Sequence, residues 1–397
     1  MSAPAAPATA SPGVDTEEQA ALRQSVASLL EKKSDSAAVR AAFASADGYD
    51  PALWSTLVDQ IGAAALSVPE DYDGAGATWV ETHLVCEELG RRLTPSPMLG
   101  SAVLAAQAVL ASGDEAACAR LLPGIAAGEL AALCWAGRDG WATPGVRADG
   151  GPEEASATLC GTAHHVLGAD TASTLLVVAV TGDTVGLFEL PADADGVTIT
   201  RVPVMDPTRT LSRVEFDGAR ATAIATRPSF LSRLRAAAWA AVSAEQVGAA
   251  RAALDATVRY TQERKQFGRL IGSFQALKHR MADMYVKVET ARSLSYSAAA
   301  LVARFQAVGD GPDADAAAYA AEIEAAAAKV YCSEALQWIS GESIQLHGGV
   351  GITWEYDAHL YFKRAHGTAQ LLGQPHELLS ALEVAAGLWA GPLGSGA

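Results

Sequence analysis

The sequence predicts a mainly helical protein in which a small β domain separates two helical domains. Apolar residues recur at three- and four-residue spacing towards both ends of the chain. Between about 130 and 225, short runs of β-branched residues alternate with turn residues instead. No helical pattern separates these runs, so we expect an antiparallel sheet that forms a barrel or a sandwich.

The composition is typical of a large globular protein that does not bind nucleic acid. The chain has 397 residues, of which 50% are hydrophobic and 19% are charged, which is sufficient for a large buried core. Its net charge is -16, and it lacks the basic cluster that usually neutralises nucleic-acid phosphates. The sequence contains no apolar stretch of ~20 residues, so it predicts no membrane span.

Five cysteines at long spacings predict reduced thiols rather than disulfides or a metal site. There is no Cys-x-x-Cys pair, and no Cys or His pair has the spacing of zinc ligands. Because reduced thiols are typical of the cytoplasm, we expect the protein to be cytoplasmic. Residues 1–14 are rich in Pro and Ala and lack the features of a signal peptide, so they predict a disordered tail.

The N-terminal helical domain is predicted over 15–125. Its first helix should open at the acidic residues Glu17 and Glu18, because negative charge favours a helix N-terminus. A loop rich in Pro, Asp and Gly is predicted at 67–78, followed by a helix at 79–93.

The middle β domain is predicted over 126–226 and the C-terminal helical domain over 227–390. The β-branched runs predict strands at 174–180, 185–190, 197–204 and 212–218. The apolar periodicity predicts helices at 236–261, 273–306, 316–340 and 355–372, with a loop at 308–315.

Two motifs in the C-terminal half could bind a phosphorylated ligand. In YTQERKQFGRLIGSFQ (260–275), an arginine precedes Phe-Gly, and guanidinium binds phosphate bidentately while Gly permits close approach. In QLHGGVGITWE (345–355), three glycines indicate a close backbone approach, although no strand precedes them as a dinucleotide fingerprint requires. A surface arginine and tight turns between helices are the alternatives.

These segments resemble the acyl-CoA dehydrogenase family, as does LSVPEDYDGAGATWVETHLVCEELGRRL (66–93). The resemblance extends over nearly the whole chain and implies an N-terminal helical domain, a middle β domain and a C-terminal four-helix bundle. It also implies FAD as cofactor, an acyl-CoA or acyl-carrier thioester as substrate, and an electron-transfer acceptor. In this family FAD lies at a dimer interface and is contacted by two chains.

The contacts that the family makes to FAD held by the other chain are present. Arg264, Gln266 and Phe267 match the Arg-x-x-Phe-Gly motif, and Gln345 and Gly349 match the Gln-x-x-Gly-Gly motif. The resemblance therefore implies that these five residues contact the cofactor of a neighbouring subunit.

The contacts that the family makes to the flavin within the same chain are altered. The family's Thr-Glu-Pro-Gly loop falls at 133–142, where this chain has LCWAGRDGWA. In the strand at 160–169, His165 stands where the family has a Trp that packs on the flavin, and Leu167 replaces a Thr. His165 could stack on a flavin, but a half-buried strand histidine is the favoured interpretation.

The family's catalytic base is absent. The two positions that carry it are Leu372 and Ala238, and neither side chain can accept a proton. Glu245 is a weak candidate for a relocated base, but it lies seven residues from Ala238, ~10 Å along a helix, so a structural role is favoured. His366 and His376 are further weak candidates.

The chain retains one set of motifs and has lost the other. In this it resembles the non-catalytic subunits of heteromeric acyl-CoA dehydrogenases in actinobacterial steroid side-chain degradation. This resemblance suggests a subunit of a two-plus-two tetramer that completes the flavin site of a homologous partner. The alternatives are an autonomous homotetrameric dehydrogenase with a relocated base and a non-redox scaffold with the same fold.

Overall fold

The computed structural model describes residues 15–150, 156–309 and 311–387. The tail predicted at 1–14 and the end of the predicted C-terminal domain lie outside the described residues. The order of elements is helices, strands and helices, as the sequence predicts. Helix gives way to strand between residues 126 and 131, and strand to helix between 224 and 230. The three domain ranges stay predictions.

The N-terminal part of the described chain is helical. A capping box at Thr16 and Gln19 opens its first helix, with Glu17 and Glu18 in the first turn as predicted. Two π-helical turns, Leu57–Ile61 and Met98–Ala105, adjoin regular helices. The helices are α1 (Glu17–Lys33), α2 (Ser36–Ala44), α3 (Pro51–Thr56), α4 (Trp79–Arg92), α5 (Ala106–Ser112) and α6 (Glu115–Ala126).

The middle strands close into a barrel, because their pairing follows the ring β6–β4–β5–β9–β7–β6. Most pairs are antiparallel as predicted, but β6 pairs in parallel with β1 and β4. The long connection between β1 and β6 permits this arrangement. The strands are β1 (Ala131–Cys134), β2 (Ala136–Gly137), β3 (Gly140–Pro144), β4 (Val146–Asp149), β5 (Ser156–Leu167), β6 (Thr174–Thr181), β7 (Thr184–Pro191), β8 (Val197–Val202) and β9 (Leu211–Ile224).

The C-terminal helices pack around α9, which contacts each of the other four. α9 begins at Pro312, earlier than predicted, because Pro is favoured in the first turn of a helix and here does not break it. A last helix, α11, was not predicted. The helices are α7 (Phe230–Glu263), α8 (Gln275–Val308), α9 (Pro312–His347), α10 (Ala358–Gln370) and α11 (Pro375–Ala385), and a hairpin of β10 (Lys265–Gln266) and β11 (Arg269–Leu270) joins α7 to α8.

Helices α4 and α7 cross in direct backbone contact at two glycines. A Cβ on Gly248 would overlap the carbonyl oxygen of Glu87 and lie 2.7 Å from the Arg91 nitrogen. A Cβ on Gly90 would likewise overlap the carbonyl oxygen of Glu245. This crossing fixes the N-terminal helices on the C-terminal bundle and explains the Gly in the sequence Glu-Glu-Leu-Gly.

Substituting Gly248 by Ala should therefore destabilise the protein strongly. The new methyl group must separate two backbones, so we expect a loss of about 3 kcal/mol or more in the free energy of unfolding, measured with denaturant. Gly341→Ala is the control, because no atom lies within 4 Å of its Cβ position in α9. That change should be neutral or stabilise by up to ~1 kcal/mol. Equal stability of the two variants would contradict the backbone contact.

Candidate functional site

The Arg-x-x-Phe-Gly motif forms the end of α7 and the hairpin that follows it. Arg264 ends the helix in an extended conformation. Phe267 and Gly268 form the two-residue turn of the hairpin, and both have positive φ, at 54° and 77°, as a type I′ turn requires. The ring of Phe267 is 89% exposed at the tip. The hairpin thus presents an aromatic ring outward at some backbone cost.

The second motif lies at the same end of the bundle as the hairpin. Tyr260, four residues before Arg264, stacks on His347, two residues after Gln345, with ring centroids 4.3 Å apart. The Tyr260 hydroxyl also donates to the carbonyl oxygen of His347 at 3.2 Å. Arg264 and Gln345 begin two motifs that lie 81 positions apart in the sequence, and one aromatic contact joins these motifs.

All five predicted FAD contacts are exposed: Arg264, Gln266, Phe267, Gln345 and Gly349. In the described part of the chain, none of the three polar side chains among them has a hydrogen-bond or ion-pair partner. No atom of the described residues lies within 4 Å of a Cβ built on Gly349, so the backbone there is open to an approaching group. An unpaired guanidinium, free amides and open backbone suit a phosphorylated ligand.

The two positions at which the family carries its base lie together in one apolar cluster. Ala238 is 0% and Leu372 is 3% exposed. Trp239, next to Ala238, donates its indole N–H to the carbonyl oxygen of Leu372 at 2.8 Å. The structure thus brings the two predicted base positions close together, but both side chains are apolar and buried.

Glu245 is held in a buried ion pair. Its carboxylate accepts a hydrogen bond from Arg209, and Arg364 pairs nearby with Asp206 at 2.7 Å. The cavity beside Glu245 measures about 50 Å³, room for a few water molecules and not for an acyl thioester. This geometry favours the structural role of Glu245 over that of a relocated base.

The other histidine candidates lie apart from an obvious reaction site. His366 is half-buried against Phe362, with its Nδ1 3.3 Å from the Gln337 amide. His376 is exposed on α11. His165 is exposed, not half-buried as predicted, because β5 bulges there and turns the residue into positive φ, at 56°.

A buried lysine that the sequence analysis missed holds the loop around Leu372. The Nζ atom of Lys329 donates to the carbonyl oxygens of Gly373 at 2.6 Å and Ala369 at 3.4 Å. Burial lowers the pKa of Lys329 to about 7, although Glu377 acts in the opposite direction. A single Lys within the apolar run AAAAKVYC was the only signal in the sequence.

Comparison with known proteins identifies the family. Residues 16–129 match the family model "Acyl-CoA dehydrogenase, N-terminal domain", and residues 232–375 match "Acyl-CoA dehydrogenase, C-terminal domain". Acyl-CoA dehydrogenase IpdE2 of Mycolicibacterium smegmatis is 39% identical over 93% of this chain and 98% of its own length. The chain belongs to the acyl-CoA dehydrogenase family.

Solved structures of acyl-CoA dehydrogenases have the same fold over nearly the whole chain. The ChsE4-ChsE5 complex of Mycobacterium tuberculosis matches with a TM-score of 0.83 and 25% identity, covering 96% of this chain and 99% of that chain. A variant of the Tcur3481-Tcur3483 steroid acyl-CoA dehydrogenase matches with a TM-score of 0.82 and 28% identity, covering 94% and 99%. The acyl-CoA dehydrogenase family binds FAD, and one solved neighbour, a glutaryl-CoA dehydrogenase from Mycobacterium smegmatis, is a complex with FADH2. Among the described residues, none of the helices is long and apolar enough to span a membrane.

The buried Lys329 should give the protein a specific pH dependence. Its pKa is lowered from an ordinary value of 10.5 to about 7 in the folded chain. Between these values the unfolded chain carries a proton that the folded chain lacks, so the free energy of unfolding should rise with pH. Below about pH 7 Lys329 is protonated in the folded chain as well, so the full destabilisation caused by its burial is present.

Lys329→Met should remove this rise, which is on the order of 1 kcal/mol per pH unit. Denaturant unfolding of both proteins between pH 7 and 10 measures the two slopes. If the free energy of unfolding changes with pH equally in both proteins, Lys329 stays charged in the folded state.

Proposed function

We propose that this chain is a subunit of a heteromeric acyl-CoA dehydrogenase and completes the flavin site of a homologous partner. The proposal rests on a difference between two sets of residues within this one chain. The five residues that would reach a neighbouring flavin are exposed, whereas the positions of the base are apolar and buried. A complete site therefore needs a second kind of subunit, most simply in a two-plus-two tetramer.

The residues of this chain would bind and orient the cofactor rather than react. Arg264 would neutralise the pyrophosphate, Gln345 and the backbone at Gly349 would bind around it, and Phe267 would pack against the ligand. When bound, FAD supplies the hydride acceptor for α,β-dehydrogenation of an acyl thioester. The partner would supply the carboxylate that removes the α-proton. An electron-transfer acceptor would then take up the electrons.

The similar proteins support a bulky, steroid-type acyl group on CoA or an acyl carrier. One structural neighbour is a steroid acyl-CoA dehydrogenase, and another is a complex of two different chains, ChsE4 and ChsE5. The five cysteines are free thiols, which agrees with a cytoplasmic location.

The first test is the visible absorption spectrum of the chain purified alone and after coexpression with a neighbouring dehydrogenase-like gene. We expect flavin bands only in the copurified complex, because the lone chain lacks half of the site. Flavin in the lone chain, together with turnover of an acyl-CoA, would instead indicate an autonomous dehydrogenase. A complex without colour would favour a non-redox scaffold.

Arg264→Met should weaken FAD binding by the complex. Loss of a charge-assisted contact to phosphate costs about 1.5–3 kcal/mol, which corresponds to roughly ten- to hundredfold in affinity. FAD retained after gel filtration, measured by absorbance, gives the readout. Arg304→Met is the matched control, because Arg304 is also exposed but lies near the opposite end of α8 from the hairpin. An equal loss from both variants would contradict the assigned contact.

A further inference from the structure

The ends of α7 and α9 are joined by two pairs of side chains. Thr257 and Ser343 are 0% and 1% exposed, and their hydroxyl groups lie 2.8 Å apart in a hydrogen bond. About one turn further along both helices, the Tyr260 ring stacks on the His347 ring. The Nδ1 atom of His347 lies 2.7 Å from the Ser343 carbonyl oxygen, which constrains the imidazole. These contacts fix the end of α9 against the end of α7, where the arginine hairpin (residues 264–270) begins.

The arginine hairpin starts from the helical turn that contains Tyr260. The Tyr260 carbonyl oxygen accepts the N–H of Arg264 at 2.9 Å, and the Ile271 N–H donates to the Arg264 carbonyl oxygen at 2.9 Å. A Cβ on Gly272 would lie only 2.8 Å from the Thr261 carbonyl oxygen, so the chain that leaves the hairpin also runs close to this turn. Both ends of the hairpin are therefore fixed to the last turn of α7.

The glycine turn (residues 348–352) is fixed to His347 in a similar way. The turn folds back so closely that a Cβ on Gly351 would lie 3.0 Å from the Cβ of His347. Tyr356, which follows the turn, packs against the rings of Tyr260 and His347, with centroids 5.8 and 5.9 Å away. The residues before and after the turn thus belong to one aromatic cluster, and this cluster includes Tyr260 of α7.

The exposed side chains themselves do not determine the distance between the two motifs. Arg264 and Gln345 are exposed and have no hydrogen-bond or ion-pair partner among the described residues. The separation of these side chains is therefore set by the backbone beneath each of them, and the stack of Tyr260 on His347 joins the two stretches of backbone. A ligand that is held at two points binds best when both points are already in place, because ordering them on binding costs free energy.

We propose that Tyr260 and His347 are positioning residues, which hold the arginine hairpin and the glycine turn at one separation so that both contact a single FAD. Their effect on FAD binding acts through Arg264 and the turn, because neither ring needs to touch the ligand. The inference rests on the proposed function and adds to it two residues that neither motif specifies.

The first test measures the FAD affinity of the complex that this chain forms with its coexpressed partner, after FAD has been removed. Quenching of flavin fluorescence on addition of FAD gives the dissociation constant. Tyr260→Leu removes the ring and should weaken binding by roughly two- to tenfold, the contribution of one aromatic pair. Tyr260→Phe keeps the ring and should retain most of the affinity.

A double-mutant cycle distinguishes positioning from an independent effect. The separation of the two motifs matters only while both bind the ligand, so Tyr260→Leu should cause no further loss in an Arg264→Met complex. Losses that multiply in the double variant would overturn the inference, as would natural affinity in the Tyr260→Leu complex. If Arg264→Met itself leaves FAD affinity unchanged, the assigned contact of the proposed function fails, and the inference fails with it.

Tyr361→Leu is the matched control. Tyr361 is also half-buried in the helical bundle, and its hydroxyl also donates to a backbone carbonyl oxygen, that of Arg91 at 2.9 Å. It belongs to neither motif, so its loss should leave FAD affinity unchanged. An equal loss from Tyr260→Leu and Tyr361→Leu would indicate a general loosening of the bundle and would contradict the positioning role.

Hydrogen exchange in the chain purified alone tests the stack without FAD. The Ile271 N–H reports on the hairpin, and the Thr353 N–H, which donates to the Val350 carbonyl oxygen at 3.1 Å, reports on the glycine turn. Tyr260→Leu should speed exchange at both amides, because each then opens more readily, whereas Tyr361→Leu should change neither. Unchanged exchange at either amide in Tyr260→Leu would refute the connection between the motifs.

Two further outcomes keep the test decisive. His347→Leu removes the other ring of the stack, and it replaces Tyr260→Leu with the same expected results if circular dichroism shows that Tyr260→Leu is unfolded. A natural complex that holds no FAD refutes the proposed function itself. Hydrogen exchange then decides whether the stack joins the two motifs, with faster exchange at both amides in support and unchanged exchange against.

Discussion

The backbone contact between α4 and α7 is the constraint on which the rest of the molecule depends. Gly90 and Gly248 let the two helices approach more closely than any side chain would allow. α7 is 34 residues long and carries Arg235, Ala238 and Trp239 near its start. It ends at the exposed hairpin. Fixing this one helix therefore fixes both the buried Ala238 near its start and the exposed hairpin at its end relative to the N-terminal helices.

Buried charges secure the β barrel to this framework. Arg209, in the loop before β9, pairs with Glu245 of α7, and Asp206 of the same loop pairs with Arg364 of α10. Such pairs add little net stability, because desolvation offsets the attraction, but breaking one leaves an unpaired buried charge. Their effect is to specify one orientation of the barrel.

Under the proposed function, the FAD contacts around Arg264 are exposed and polar, whereas the base positions are buried and apolar, and one physical reason accounts for both. A half-site that receives a ligand from another chain must keep polar groups and an aromatic ring unsatisfied in the isolated subunit, as Arg264 and Phe267 are. The positions of the absent base are instead filled by the buried apolar side chains of Ala238 and Leu372, because an empty cavity forfeits packing. The exposed ring of Phe267 favours association with a partner that covers it.

The sequence by itself determined the order of helices and strands and the family, and it predicted the FAD contacts around Arg264 and Gln345, because local periodicity and short motifs carry that information. It also predicted, by alignment, that Leu372 and Ala238 occupy the positions of the family's base. Only the tertiary structure decided that Glu245 is tied to Arg209 and that Lys329 holds the Leu372 loop. Each of these depends on contacts between residues more than 30 positions apart, and burial and pairing at that range follow from how the helices and barrel pack, which no local pattern records.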